Sequence, residues 1–387
     1  MKNKLIIFIL VSFAFAETGT VFSQTGSEEL NAIQTVVPFL TIAPDSRAGG
    51  MGDAGVATTP DAYSMHWNPA KFAFIDGKGG VGISYAPWLR TLVPDINIAY
   101  LSGYYRIDPK QVISGSLVYS SLGDIPFTDE FGNEMLVGKP NEFSIDAGYS
   151  RKFAEKFGGG VAFRFIYSNL TGGYYSGGEP TKPGISFAAD ISGYYNDEIT
   201  IFDKDGELSF GINFSNIGSK MSYTNSQASD FIPMNLRLGS AGTIKFDKYN
   251  ALTLTIDLNK LLVPTPPEME NGVIVDGKDP NVSVPVAIFQ SFYDAPGGFS
   301  EEMHEIMYSV GAEYWYNNQF AIRGGYFNEH ETKGNRKYFT AGAGFRMNVF
   351  TIDFSYLMPL TQNHPLAHTL RFSLTFDFNS LRNVSKG

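Results

Sequence analysis

The sequence predicts an all-β fold: a transmembrane antiparallel β-barrel of about 14 strands with an N-terminal plug segment in its lumen. Three observations predict it. In the last apolar stretch, His368 to Asn379, Leu370, Phe372, Leu374, Phe376 and Phe378 share one parity, and Arg371, Ser373, Thr375, Asp377 and Asn379 the other. Side chains alternate across a strand, so one face suits lipid and the other a wet interior. About ten residues suffice to cross a bilayer as a tilted strand. The same texture recurs from Val81 onward. The connectors alternate short and long, as they do in outer-membrane barrels with short periplasmic turns and long external loops. A soluble sandwich would also alternate along its strands, but it has no reason to sort its loops by end.

At the N-terminus, Lys2 and Lys4 precede an apolar run from Leu5 to Phe15, and Ala14-Phe15-Ala16 fits an A-x-A cleavage site. This predicts a secretory signal peptide over residues 1–24, cleaved after residue 16 or near Gln24; it is too short for a transmembrane helix. Residues 25–78 show no strand period and are rich in Pro and Gly, with Pro38, Pro44, Pro60, Pro69 and Gly49, Gly50, Gly52, Gly55. A barrel of about fourteen strands is too wide for its own side chains to fill. Irregular backbone is tolerated inside a lumen that supplies water and protein partners, so this segment is the expected plug. Asp45, Arg47, Gly50, Gly52, Asn68 and Pro69 are its candidate functional residues.

The barrel is expected over residues 79–387, with strands near 81–88, 94–106, 111–121, 141–153, 157–169, 184–195, 207–217, 234–246, 250–262, 307–317, 319–328, 337–347, 349–358 and 367–379. Leu252, Leu254, Ile256 and Leu258 against Thr253, Thr255, Asp257 and Asn259 show the period most plainly. Short connectors fall at 107–110, 154–156, 247–249, 318 and 348, with 196–206 a longer exception; long loops fall at 122–140, 170–183, 218–233 and 263–306. An even strand count places both chain ends in the periplasm. Trp88, Tyr104, Tyr105, Tyr194, Tyr195, Trp315 and Tyr316 lie near strand ends and read as interfacial girdles.

The inward parity carries both signs: Asp146, Asp190, Asp257, Glu313, Asp353 and Asp377 with Arg164, Arg237, Arg323, Arg346 and Arg371. Hydrated or mutually paired wall residues account for this, a polar path or binding lumen being the functional alternative. The loop at 263–306 opens with Pro264, Pro266 and Pro267, and its stretch from Val282 to Tyr293 is largely apolar. That is too long and greasy for a passive connector. It is either a docking surface for a protein, through Val284, Ile288, Phe289, Phe292 and Tyr293, or a cover folded over the barrel mouth. Phe127 and Phe131 in the loop at 122–140, and Tyr174 and Tyr175 in that at 170–183, raise the same question.

No enzyme motif stands out. Without cysteine there is no disulfide, thiolate or Cys-type zinc site. The net charge of −10 argues against nucleic acid. Gly50-Met51-Gly52-Asp53-Ala54-Gly55 spells G-x-G-x-x-G, but Pro44 and Pro60 flank it and no βαβ unit follows, so tight turning against the wall is the better account. His66, His304, His330, His364 and His368 have no metal-ligand spacing and read as isolated loop residues. Asp203-Lys204-Asp205-Gly206 reads as a turn ending in Asp-Gly. Neither a metal nor a cofactor is expected.

The block from Pro38 through Asp45-Ser46-Arg47-Ala48-Gly49-Gly50-Met51-Gly52-Asp53-Ala54-Gly55, followed by Trp67-Asn68-Pro69-Ala70-Lys71, resembles the PorV family of the type IX secretion system. Phe127-Thr128-Asp129-Glu130-Phe131-Gly132, the stretch from Asn141 to Arg151, and Asn213-Phe214-Ser215-Asn216-Ile217-Gly218 extend the resemblance along the chain. It implies a FadL-like barrel of fourteen strands with an N-terminal plug and a non-enzymatic role. It also implies partners: a SprA-type translocon, the C-terminal signal domains of secreted cargo, a PorU-type attachment complex and outer-membrane lipid. A FadL-type transporter of hydrophobic small molecules is the alternative, and a lipid A-modifying enzyme ranks last.

Overall fold

Period-two alternation builds a closed wall. The computed structural model describes residues 30–89, 95–128, 134–170, 175–176, 179–225, 229–361 and 364–378; the expected signal peptide lies outside them. The barrel strands are β1 (Gly79–Pro87), β2 (Asn97–Asp108), β3 (Gln111–Ser121), β4 (Asn141–Lys152), β5 (Phe157–Asn169), β6 (Gly184–Ile201) and β7 (Lys204–Gly218), then β8 (Asn235–Lys245), β9 (Asn250–Leu261), β10 (Met307–Tyr316), β11 (Phe320–Asn328), β12 (Lys337–Met347), β13 (Phe350–Pro359) and β14 (Leu370–Asp377). Each pairs antiparallel with its sequence neighbour, and β14 closes on β1 with Leu374 opposite Ile83. Closure removes every edge, which a wall in lipid requires.

The two faces differ as the alternation demands. On β5, Val161 and Phe163 are exposed, whereas Ala162, Arg164 and Ile166 between and beyond them are buried. Phe187, Ile191, Leu254, Ile322 and Phe372 continue the outer band. So much contiguous apolar surface is far beyond what a water-facing monomer exposes. No helix among the described residues is long and apolar enough to cross a membrane; the strands do so.

The short connectors all lie at one end, among them Pro109–Lys110, Phe202–Asp203, Asn317–Gln319 and Asn348–Val349. The longer exception at 196–206 does not exist. Strands β6 and β7 continue to a two-residue turn at Phe202–Asp203, both in the left-handed region (φ 50° and 59°), the geometry that matches hairpin twist. Asp205-Gly206 is therefore not the turn: Gly206 sits in β7 opposite Ile199. The last strand begins later than expected, because His368 takes φ 62° in the preceding turn.

The aromatic pairs do not all face lipid. Tyr105 and Tyr316 are exposed, but their neighbours Tyr104 and Trp315 turn inward, and Tyr194 is fully buried beside the half-exposed Tyr195. Adjacent residues must point to opposite faces, so each dyad gives one ring to the girdle and one to the lumen. Trp88 packs inward as well, against the inner apolar cluster.

At the long-loop end, residues 122–140 contain the hairpin Ile125–Thr128 with Glu134–Gly138, and 170–183 the short pair Tyr175–Ser176 with Glu179–Pro180. Residues 263–306 carry the hairpin Glu268–Glu270 with Val273–Asp276 and two helices, Val284–Gln290 and Gly298–His304.

Candidate functional site

The segment before β1 runs through the lumen as turns, two 3-10 helices (Pro38–Thr41 and Pro69–Phe74) and two single-turn α-helices, α1 (Ser46–Gly49) and α2 (Ser64–Trp67). Its backbone groups have few partners of their own, so side chains supply them. The Asp45 carboxylate caps α1 by accepting from Ala48 N (2.9 Å) and also accepts from Trp67 Nε1 (2.7 Å). Asn68 Nδ2 donates to the Val56 and Gly193 carbonyls, its Oδ1 accepts from Ala70 N, and the Pro69 carbonyl accepts from Ser150 Oγ. Each of these last residues thus ties the segment to itself or to the wall.

The glycine run presses the segment on the barrel. Gly52 (φ 70°) donates its N–H to Thr340 Oγ1, and a Cβ there would lie 2.6 Å from the Tyr326 carbonyl oxygen. A Cβ on Gly50 would come within 3.1 Å of Gly342 Cα. The Gly55 and Val56 N–H groups both donate to Asp257 Oδ2 (2.7 and 2.9 Å). The amides a phosphate would need are already held by the protein's own carboxylate.

Arg47, on α1, reaches the wall at β10. Nε and Nη2 donate to the two Glu313 oxygens (3.0 and 2.8 Å), and Nη1 donates to Asp61 (2.9 Å). Glu313 also accepts from Arg323 (2.7 Å), which in turn pairs with Asp353 (2.7 Å). On the other side of the lumen, Arg164 pairs with Asp146 and Asp190 (2.7 and 3.3 Å). Arg371 pairs with the segment's Asp53 (2.8 Å), which also accepts from Tyr338 OH. Register explains two of these pairs: Asp146 lies directly opposite Arg164, and Glu313 opposite Arg323. Of the other inward charges, Arg346 and Asp377 line a cavity of about 650 Å³ at the short-turn end, with Arg47, Asp61, Glu198 and Glu207. A second cavity, of about 330 Å³, lies at the long-loop end.

The loop at 263–306 has two faces. Val284, Ala287 and Ile288, at helical spacing, pack on the apolar cluster that Val37, Phe39 and Leu40 form with Ile232, Met234 and Leu262. Phe289, Phe292, Tyr293 and Phe299 point away and are exposed, Phe289 to 71%. The first face is a cover folded over the barrel mouth; the second is exposed. Buried charges fix it to the rim: Lys260 Nζ donates to Glu302 and Glu305 (2.9 and 2.6 Å), and Lys333 Nζ to Glu301 and Glu305 (2.5 and 3.1 Å). Burial, with Glu302 close by, pushes the Asp294 carboxyl up to about 6.

The site residues expected from sequence thus separate. All six in the segment before β1 take part in its seating. Phe127 and Tyr175 fall in the loop hairpins, opposite Leu136 and Pro180; Phe131 and Tyr174 lie outside the described residues. Sequence reasoning missed Asp53, Lys260, Lys333 and the glutamates Glu301, Glu302 and Glu305 in and just after the second loop helix. It also took the histidines as isolated, whereas the His304 and His330 rings stack at 3.6 Å. Only the tertiary contacts join these residues, which lie far apart in sequence.

Comparison with known proteins agrees with this geometry. The sequence profile of the type IX secretion system protein PorV matches residues 25–268, from the luminal segment through β9. A search of curated protein sequences finds no match. Among solved structures, the Pseudomonas putida toluene transporter TodX superposes with a TM-score of 0.52 at 11% identity, over 91% of this chain and 100% of TodX. A Pseudomonas aeruginosa FadL homologue gives a TM-score of 0.43 at 12% identity, over 87% and 99%. The TodX likeness shows the fold alone, and the second adds nothing to the argument. The profile, which spans most of the chain, shows more: this protein belongs to the PorV family, an outer-membrane β-barrel component of the type IX secretion system.

Proposed function

We propose that the chain is a non-enzymatic shuttle subunit. It binds a SprA-type translocon, receives secreted proteins through their C-terminal signal domains and passes them to a PorU-type attachment complex. The long-loop end faces outward and both chain ends lie in the periplasm. The observation that carries this reading is the aromatic face of Phe289, Phe292, Tyr293 and Phe299, exposed on a loop that buried Lys–Glu pairs hold rigid. Exposed aromatics on a fixed support are what a protein interface uses.

The luminal segment is the plug. Its ion pairs to the wall at β10 and β14, through Arg47 and Asp53, are what would close the pore while the loops work. The transporter reading needs a greasy route. The cavity at the short-turn end is instead edged by Arg47, Asp61, Glu198, Glu207 and Arg346, which disfavours it.

Deleting Thr265–Ser300 tests the proposal. The variant should remain a heat-modifiable barrel in the membrane and lose co-purifying translocon or cargo. Normal secretion by that variant would overturn loop-mediated docking. The milder pair Phe289→Ser with Tyr293→Ser should weaken capture without removing the loop.

A further inference from the structure

The wall is not level at its short-turn end. Strand β5 begins at Phe157, opposite Tyr195, but β6 runs on to Ile201. Over that stretch β6 still pairs with β7, from Asn196 opposite Ser209 to Ile201 opposite Lys204. On its other side, Asn196 N–H donates to the Lys156 carbonyl (2.9 Å), and among the described residues no strand pairs with β6 beyond that point. Backbone groups along a strand point to alternate sides. The N–H and C=O groups of Glu198 and Thr200 therefore face the same way as the Asn196 N–H, along a bare edge. The far side of the hairpin is braced: β8 runs beside β7, with Gly206 opposite Ile244 and Lys245 paired to Glu207 (2.7 Å).

Unpaired backbone is not tolerated in lipid, so this edge stands in water. Its charges agree. The hairpin carries Asp197, Glu198, Asp203, Asp205 and Glu207 against one lysine, Lys204. Glu198 lies directly opposite Glu207, a like-charge pair that opposes the hairpin. The next strand on one side relieves it, since Lys245 of β8 neutralises Glu207. On the bare side no strand does the same for Glu198. Lys156 pairs with Asp197 (2.7 Å), whereas among the described residues Glu198, Asp203 and Asp205 enter no ion pair. Of the devices that blunt an edge, charge is present, but there is neither a proline nor a bulge between Asn196 and Ile201. At the tip Phe202 is 89% exposed.

An open edge takes up an extended strand through main-chain hydrogen bonds, and charge selects which strand. A second copy of this chain would set acid against acid. We propose that the β6 edge from Asp197 to Ile201 is a docking site for an extended basic segment of a soluble partner protein. The segment pairs with the main chain of Glu198 and Thr200. Its Lys or Arg side chains do for Glu198 and Asp205 what Lys245 does for Glu207, and an apolar residue covers Phe202. The site does not depend on the shuttle reading, since it lies at the end of the barrel away from the long loops.

The test is fluorescence anisotropy of labelled peptides with the full chain in a neutral detergent. The probe is the amidated peptide Ac-Lys-Val-Lys-Val-Lys-Val-Lys. One control is the same peptide N-methylated throughout, which keeps the charge and removes the donors; the other has Glu in place of Lys. The probe should bind about tenfold tighter than either control, the worth of one good hydrogen bond. Thr200→Pro removes only an outward N–H and leaves the ladder to β7 intact, and it should abolish that preference. Should this variant fail to assemble, Glu198→Lys with Asp205→Lys should instead transfer the preference to the acidic peptide. The probe binding no tighter than its controls, Thr200→Pro binding as wild type does, or charge reversal leaving the preference unchanged would each overturn the proposal. So would binding seen only in a chain ending at Phe378, the edge then being taken by this chain's own residues 379–387, or a dimer that Thr200→Pro dissolves.

Discussion

Replacing Arg47 by alanine should unseat the plug. The guanidinium makes two bonds to Glu313, one to Asp61 and two to Thr59, at its carbonyl (3.0 Å) and Oγ1 (2.6 Å). Truncation loses all five. Glu313 keeps Arg323, and the Asp61 side chain, 22% exposed, regains water from the adjoining cavity. The cost therefore falls at the low end for breaking a buried ion pair, about 3 kcal/mol. At about 1.4 kcal/mol per tenfold, the ratio of unseated to seated plug rises about a hundredfold. Single-channel recording in planar bilayers reads this directly as open time. Arg47→Lys keeps the charge but not the fork, so it should fall between wild type and Arg47→Ala. If Arg47→Ala stays as silent as wild type while a deletion of residues 30–76 conducts, this clamp is not what holds the plug.

Gly325→Val should give the same leak by steric means, because a Cβ there would lie 2.1 Å from Gly52 N and Met51 C; a silent barrel with Val at that position would show that the plug can shift. Phe163→Arg, at an exposed site midway along β5, should cost about 2–4 kcal/mol in urea titrations of the folded barrel, and Phe378→Asp, at the strand end, only about 0–1; equal costs would contradict the depth assigned to them. The loop should tighten as pH falls from 7.5 to 5. Asp294 titrates at about 6, above its ordinary 3.8, so its charged form opposes the folded loop above that pH and protonation relieves it. Protease sensitivity of residues 265–300 should drop over that window, and Asp294→Asn should remove the pH dependence.

Much of the wall was legible because the strand period is local. Leu252 to Asn259 alternate whatever their neighbours do, and loop sorting needs only lengths. The misreadings came where two local signals competed. Asp205-Gly206 has turn chemistry, yet the pairing of Ile199 with Gly206 carried the strands past it to Phe202–Asp203. In the aromatic dyads, position near a strand end suggested girdles for every ring, although parity allows only one of each pair outside. Tyr104 and Tyr194 went inward for that reason. The seating of the glycine run was foreseeable from composition. Its partners, Thr340, Asp257 and the β11 backbone at Tyr326, were not.

By itself the sequence determined the architecture: alternation names the faces, and a closed wall follows because open edges and irregular backbone cannot face lipid. Family membership was legible too, in the block from Pro38 to Lys71. Only the tertiary structure decided which charges meet. A partner is set by strand register and by where the plug lies, and neither leaves a trace in residue spacing. That is why Arg164 and Arg237, alike in sequence as inward arginines, end with different neighbours across the strand, one facing Asp146 and the other the amides of Asn213 and Asn259.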